Sequence, residues 1–281
     1  MYPNDSVPMP HQWDRPDWPD HPIWDDVREW RYALGDAPVD EAVVRNAVSA
    51  YFGMISFLDN QIGRVLAALE ESGQGGNTRI IYTSDHGEML GSYGLWGKSC
   101  MYEDSVGVPF IVAGPDIPAG QVSDQNVSLI DCFPSILDCV GVPLEDEDKT
   151  LPGTSLWPIA RGEESPDRIA FAEYHALFST VGNYMVKDDR YKLVYYAGNA
   201  YPLNLFDLQE DPSELHDLGQ DSAYADAIAR LETELRKVCD PEAVNEQAFA
   251  DQRAQVERHG GEAALLAQGL EINFSPAPGF M

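Results

Sequence analysis

The stretch Arg79-Ile80-Ile81-Tyr82-Thr83-Ser84-Asp85-His86-Gly87-Glu88-Met89-Leu90-Gly91, with Gly94-Leu95-Trp96-Gly97-Lys98 behind it, decides how this chain is read. An apolar, β-branched run ends in small hydroxyl residues and then presents an acid, an imidazole and a glycine. That is the pattern of a buried strand with two potential metal ligands at its carboxyl end, the end at which open α/β sheets carry their sites. Gly87 suits a sharp turn that lets Asp85 and His86 converge, and Lys98, across a glycine-rich loop, can bring an ammonium to the same point. A metal and an ammonium together face an anion. Asp and Gly are also ordinary turn formers, so the triplet alone reads more readily as a turn. The strand before it and the lysine after it favour a site, although two ligands do not close a coordination sphere.

Upstream, Val43, Val44, Ala47, Ala50, Tyr51, Met54, Ile55, Leu58, Ile62, Val65, Leu66 and Leu69 recur at three and four residues, which predicts a helix over Val39 to Glu71, stopped by Ser72-Gly73-Gln74-Gly75-Gly76-Asn77. Before it, Met1 to about Asp36 is rich in Pro, Asp and Trp without a period; its tryptophans imply packing onto a body. His11 and His21 lie among its acids and prolines and are expected at the surface.

Downstream, Val108 to Gly114 reads as a second short buried strand, and Ser128 to Gly141 as a helix with Pro134 near its first turn. This order of helix, strand, loop and strand argues for an α/β sheet. Ile169 to His175 is read as a further strand. Tyr184-Met185-Val186, Tyr191 to Tyr196 and Leu203 to Leu208 then form a predicted antiparallel meander, followed by an amphipathic helix over Ser222 to Val238. The expected division is 1–180 for an α/β core, 181–240 for a small antiparallel subdomain with a packed helix, and 241–281 for a C-terminal tail.

The formal net charge is −29, from 47 acids against 18 bases, so nucleic acid is excluded as a natural partner and a solvated acidic surface is the plain explanation. No apolar run is long enough to cross a membrane, and the first residues lack the basic and apolar regions of a secretory signal, so no membrane is expected as a partner and a cytoplasmic location is favoured. Cys100, Cys132, Cys139 and Cys239 have neither metal-finger spacing nor a dense disulfide pattern.

Thr83 to Gly91, Gly94 to Lys98 and Tyr102-Glu103-Asp104-Ser105-Val106-Gly107-Val108-Pro109 closely resemble the second metal-ligand segment of the sulfatase family, within the alkaline phosphatase superfamily and nearest its choline-sulfatase-like and arylsulfatase-like members. Tyr51 to Arg64 resembles the family's preceding helix, and Leu205 to Glu214 its C-terminal strand and turn. The resemblance implies an alkaline-phosphatase-like α/β/α sandwich, present only in its C-terminal part, followed by a small antiparallel sheet with a C-terminal helix. It implies hydrolysis of a small-molecule sulfate ester by a cysteine converted to formylglycine within a Cys-x-Pro/Ala-x-Arg motif. It makes Asp85 and His86 ligands of one divalent metal and Lys98 a contact of the sulfate. The resemblance makes calcium, the ion of most of the family, the expected one; because the imidazole of His86 suits calcium less well than an oxygen donor would, manganese or another transition ion is the alternative. Ser92-Tyr93 stands where the family often has an acid and a histidine.

The nucleophile motif is missing. Cys132-Phe133-Pro134-Ser135-Ile136 and Cys239-Asp240-Pro241-Glu242-Ala243 begin in its manner but have Ile136 and Ala243 in place of the arginine. The family's N-terminal pair of metal-binding acids is also absent. The chain therefore reads as the C-terminal part of a sulfatase, and exposed core faces are expected to make it self-associate and to leave it with little esterase activity alone. The phosphonate monoester and phosphodiester hydrolases of the same superfamily are the alternative, and a non-catalytic metal- and anion-binding derivative is a third reading. His175, at a predicted strand end, and the aromatic residues Trp96 and Tyr102 are further candidates for the substrate pocket, the aromatics through cation-π contact with a quaternary ammonium; each would equally serve as an ordinary core residue.

Overall fold

The computed structural model describes residues 2–15, 19–25, 27, 40–163, 168–175 and 179–268. Helix α1 spans Glu41–Glu71 and begins where the Asp40 carboxylate accepts a hydrogen bond from the Val43 amide. Its first turns bury Val44 and Val48 against Val7, Tyr2, Met9 and Trp13 of the N-terminal segment. Further along, the apolar stripe has no cover: Met54 is 60% exposed, Phe57 68% and Val65 69%.

Strand β1, Ile80–Thr83, pairs antiparallel with β2, Phe110–Ala113, with Ile81 opposite Val112. The two form a sheet of their own. Both were expected to be buried; β1 is half-buried along its length, and Ile111 in β2 is 59% exposed. The physical reason is that no third strand pairs with either of them among the described residues. Between them lies the short helix α2, Glu103–Val106. The proline-containing stretch forms helix α3, Cys132–Val140, ended by Gly141 at φ 70°, so its cysteine motif is helical as the sequence indicated. Trp157 of helix α4, Trp157–Ala160, is 1% exposed and donates its indole N–H to the Ser135 carbonyl at 2.7 Å.

The meander lies in a four-stranded antiparallel sheet in the order β3-β4-β5-β6, with β3 Ala170–Tyr174, β4 Asn183–Lys187, β5 Tyr191–Tyr196 and β6 Asn204–Asp207; the strand at Ala170–Tyr174, expected within the 1–180 core, joins this sheet because it pairs along its length with β4. The period-2 alternation of its side chains builds two cores. Tyr184, Val186, Leu193, Tyr195 and Leu205 face helix α5, Ala225–Val238, where Leu231 and Leu235 meet them. Met185, Val194, Tyr196 and Phe206 face the other way and pack with Ile23, Trp24, Met89, Tyr93, Leu95 and Tyr102. The second face of the small sheet is therefore the floor beneath the Asp-His-Gly loop. Helices α6, Pro241–Arg258, and α7, Glu262–Gln268, follow; residues 269–281 of the expected tail lie outside the described residues. No helix among the described residues is long and apolar enough to cross a membrane.

His21 does not lie at the surface. It is 7% exposed, stacks on Tyr196 at 5.3 Å, and its Nε2 lies 2.8 Å from the Pro202 carbonyl. Its cover comes from residues about 180 positions away, which its polar neighbours in sequence do not announce.

Candidate functional site

Asp85 and His86 lie immediately beyond β1, on a loop laced to α2 and to the turn behind it. The Gly87 amide donates to the Ser105 carbonyl at 2.8 Å, the Met89 amide to the Gly97 carbonyl at 2.8 Å, and the Ser105 hydroxyl to the Lys98 carbonyl at 3.1 Å. Gly87 is required for close approach, not for an unusual backbone angle: a Cβ there would lie 2.1 Å from the Asp104 carbonyl oxygen. The turn behind it holds Leu90, Gly91, Tyr93 and Gly94 at positive φ. Tyr93 keeps its conformation because its amide donates to the His11 carbonyl, its ring stacks on Tyr102 at 4.7 Å, and its hydroxyl donates to the Ser213 carbonyl.

Three sequence-predicted residues come together. Lys98 Nζ lies 2.7 Å from His86 Nε2, and Asp85 Oδ2 lies 3.4 Å from the same nitrogen. His86 Nδ1 is 2.8 Å from the Gly87 carbonyl, an acceptor only, which assigns the proton to Nδ1 and leaves the Nε2 lone pair facing Lys98 and Asp85. That is how metal-binding imidazoles are oriented by an outer carbonyl. Desolvation raises the Asp85 carboxyl, but the His86 ring beside it, the backbone N–H groups of Asp85 and His86 and the Ser84 hydroxyl together outweigh it and hold it below the usual carboxylate range. Asp85 is exposed and His86 half-buried, so the cluster stands open on one side.

As a test of fit to a divalent ion, the donor set is a carboxylate and an imidazole nitrogen of the right tautomer, which suits two positions of a coordination sphere. Among the described residues, no group of three or more His, Cys, Asp and Glu is placed to hold a metal. Asp85 and His86 are the two candidate donors at this point.

The remaining candidates lie elsewhere. Tyr102 is 7% exposed, between Trp24 and Tyr93 in the core. Trp96 is half-buried and packs with the N-terminal cluster of Val7, Val44 and Val48. His175 sits on the α6 side of the small sheet, edge-on to Tyr184 at 5.3 Å, with its Nε2 3.6 Å from Glu173. Its neighbour Tyr174 reaches the site loop instead, its hydroxyl 2.9 Å from that of Ser99. Sequence reasoning did not single out Tyr174 or Glu88. Glu88 accepts from the Gly97 amide at 2.8 Å and the Leu90 amide at 3.0 Å, tying the two ends of the loop. An acid directly after Asp-His-Gly, nine residues before a glycine, was the available signal.

The sulfatase family profile matches residues 7–142. The profile described as N-sulphoglucosamine sulphohydrolase, C-terminal, matches residues 91–240. Arylsulfatase K of Danio rerio is 32% identical over 221 residues, covering 76% of this chain and 41% of that protein. Choline-sulfatase of Rhizobium meliloti (strain 1021) is 36% identical over 182 residues, covering 65% of this chain and 35% of that protein. The solved phosphonate monoester hydrolase of Silicibacter pomeroyi superposes with a TM-score of 0.72 at 29% identity, over 84% of this chain and 51% of that one. The chain thus spans between about a third and about half of the length of each of these proteins. Its strand, loop and small sheet are those of their C-terminal part, and the chain belongs to the sulfatase family.

Proposed function

We propose that this chain carries the metal-and-anion half of a sulfuric ester hydrolase site and works together with a nucleophile-bearing segment that the sequence does not include. The observation that carries the reading is that Lys98 Nζ and Asp85 Oδ2 lie 2.7 and 3.4 Å from the same atom, His86 Nε2, at the tip of β1. Asp85 and the Nε2 lone pair of His86 would hold one divalent ion, calcium or, in keeping with the imidazole, manganese or another transition ion. When bound, that ion supplies Lewis-acid polarisation of a sulfate oxygen. Lys98 contributes a fixed positive charge beside the sulfate oxygens, so that a nucleophile can approach an anion whose charge is partly neutralised. The Gly87 carbonyl keeps the His86 proton on Nδ1 throughout, and Glu88, by holding the Gly97 amide, keeps Lys98 on the same side as His86.

The uncovered stripe of α1 and the half-buried strand β1 support the incomplete-site reading, since contiguous exposed apolar surface marks a place where another segment packs. In that segment's absence, the chain self-associates through those faces and turns over little substrate. The experiment is a panel of 4-nitrophenyl sulfate and phenyl phosphonate esters, offered to the chain alone and to the chain joined to a nucleophile-bearing N-terminal half of a relative. The expected result is sulfate hydrolysis by the joined protein only. Full turnover by the monomeric chain alone would refute the reading. A preference for phosphonate esters would move it to the phosphonate monoester hydrolases, a reading that the Silicibacter pomeroyi structure keeps open.

A further inference from the structure

Beneath the site loop lies a group of buried charges that the proposed chemistry does not use. Lys192 of β5 is fully buried, with its Nζ 2.9 Å from Glu103 Oε1, 2.5 Å from Glu214 Oε1 and 2.9 Å from the Met101 carbonyl. Lys187 Nζ lies 3.2 Å from the other oxygen of Glu103, and the remaining oxygen of Glu214 accepts the Glu103 amide at 2.7 Å. Two ammonium groups thus face two carboxylates, and the partners come from three separate parts of the chain: the sheet, α2, and the turn after β6. Burial pushes the Glu214 carboxyl up despite Lys192, whereas for Glu103 the two lysines outweigh burial and hold it down.

A buried ion group is weak evidence for stability, because desolvation offsets most of its attraction; its better-attested use is to fix one arrangement among several. Here, what it fixes is the segment carrying Lys98. Met101 and Glu103 are bound directly; Ser105, two residues on, holds both the Gly87 amide and the Lys98 carbonyl. The Ser99–Tyr174 hydroxyl pair adds a second tie from the same sheet. An apolar side chain at 192 could fill the space but could not choose the register of this loop.

We propose that Lys192 is a positioning residue, whose ammonium, shared among Glu103, Glu214 and the Met101 carbonyl, seats the 97–105 segment on the small sheet and thereby keeps Lys98 against His86. This rests on the reading of Asp85, His86 and Lys98 as the anion-binding half-site.

The test compares the chain with the variant Lys192→Met/Glu103→Gln/Glu214→Gln, which keeps side-chain volume and leaves only Lys187, itself partly exposed, without a carboxylate. Amide hydrogen exchange is followed residue by residue, and inorganic sulfate is titrated while the Lys98 and His86 side-chain resonances are observed. The expected result is that the Gly87 and Met89 amides exchange at least about tenfold faster while Val186 and Leu193 keep their protection within about threefold, because only the loop has lost its seat. The apparent sulfate affinity at Lys98 then falls about fivefold or more, as expected when a binding group is displaced from its working geometry. Unchanged exchange at Gly87 and Met89, or an equal loss at all four amides, overturns the proposal, the latter because it marks a purely structural role. Should the triple variant not fold, Glu214→Gln, which retains the acceptor for the Glu103 amide, is expected to show the same local pattern at smaller size, and its absence there also overturns the proposal. If the unaltered chain shows no sulfate response while the exchange pattern changes as expected, the half-site reading falls and the positioning role stands.

Discussion

The ammonium of Lys98 occupies the face of His86 that a metal ion would take: Nζ lies 2.7 Å from Nε2, while Nδ1 is held by the Gly87 carbonyl at 2.8 Å. The two groups therefore share one point in space, and an ion arriving there must push Lys98 outward, toward where the sulfate oxygens would lie. Replacing Lys98 with alanine is expected to lower kcat/KM for an aryl sulfate in the joined protein by about 10²- to 10³-fold, the usual cost of losing one charge-stabilising donor. Because the side chain is exposed, unfolding free energy should change by no more than about 0.5 kcal/mol. Activity assays and urea denaturation on the same preparation check both parts.

Asp131 is 1% exposed and accepts the Ser128 amide at 2.9 Å, the Thr154 amide at 2.9 Å and Arg168 Nη2 at 2.5 Å. Removing the carboxylate strands a guanidinium that is itself mostly buried. Asp131→Ala is expected to destabilise the chain by about 3–5 kcal/mol, the range for breaking one partner out of a buried pair. Urea denaturation measures it; a loss below about 1 kcal/mol would place the pair among surface ion pairs instead.

At the junction of α5 and α6, the Arg236 guanidinium, then the Tyr195 hydroxyl, hold the Glu242 carboxyl down to about 2. The folded form thus holds this proton less tightly than the unfolded chain. Its contribution to stability is fully present above the ordinary glutamate value of 4.5 and is lost as pH falls through that value toward about 2. The melting temperature of the unaltered chain should therefore fall more steeply over this window than that of Glu242→Gln, and parallel curves would contradict the assignment.

Phe57 and Val65, 68% and 69% exposed on α1, make no contribution to the buried core of the chain. Phe57→Glu with Val65→Lys is expected to shift the chain toward monomer in sedimentation velocity without lowering its melting temperature, since a charged residue on an open apolar patch opposes association and removes no packing. The same pair should block recovery of activity when a nucleophile-bearing half is supplied separately.

The α1 helix, the small sheet and the α5 stripe were legible because each is written in short-range periodicity: Leu231 and Leu235 recur at helical spacing, and Tyr184 and Val186 alternate with Met185. That Asp85, His86 and Lys98 lie close together was legible for a related reason, since the loop after one strand carries all three. What was missed depends on distant pairing. His21 is buried by Tyr196 and Pro202, and Lys192, which reads as the polar position of an alternating strand, is neutralised by Glu103 and Glu214. The burial expected of β1 also failed for want of a neighbour: the run Ile80-Ile81-Tyr82-Thr83 has the composition of a covered strand, and β2 alone does not cover it.

The central claim is that Asp85 and His86 form half of a metal site with Lys98 at its edge, and substoichiometric manganese(II), followed by NMR, tests it most directly. Paramagnetic broadening should strike the His86 and Asp85 signals first and leave those of His175 intact, with Lys98 Nζ shifting as inorganic sulfate is then added. Broadening spread over the acidic surface with no preference for Asp85 and His86 would contradict it.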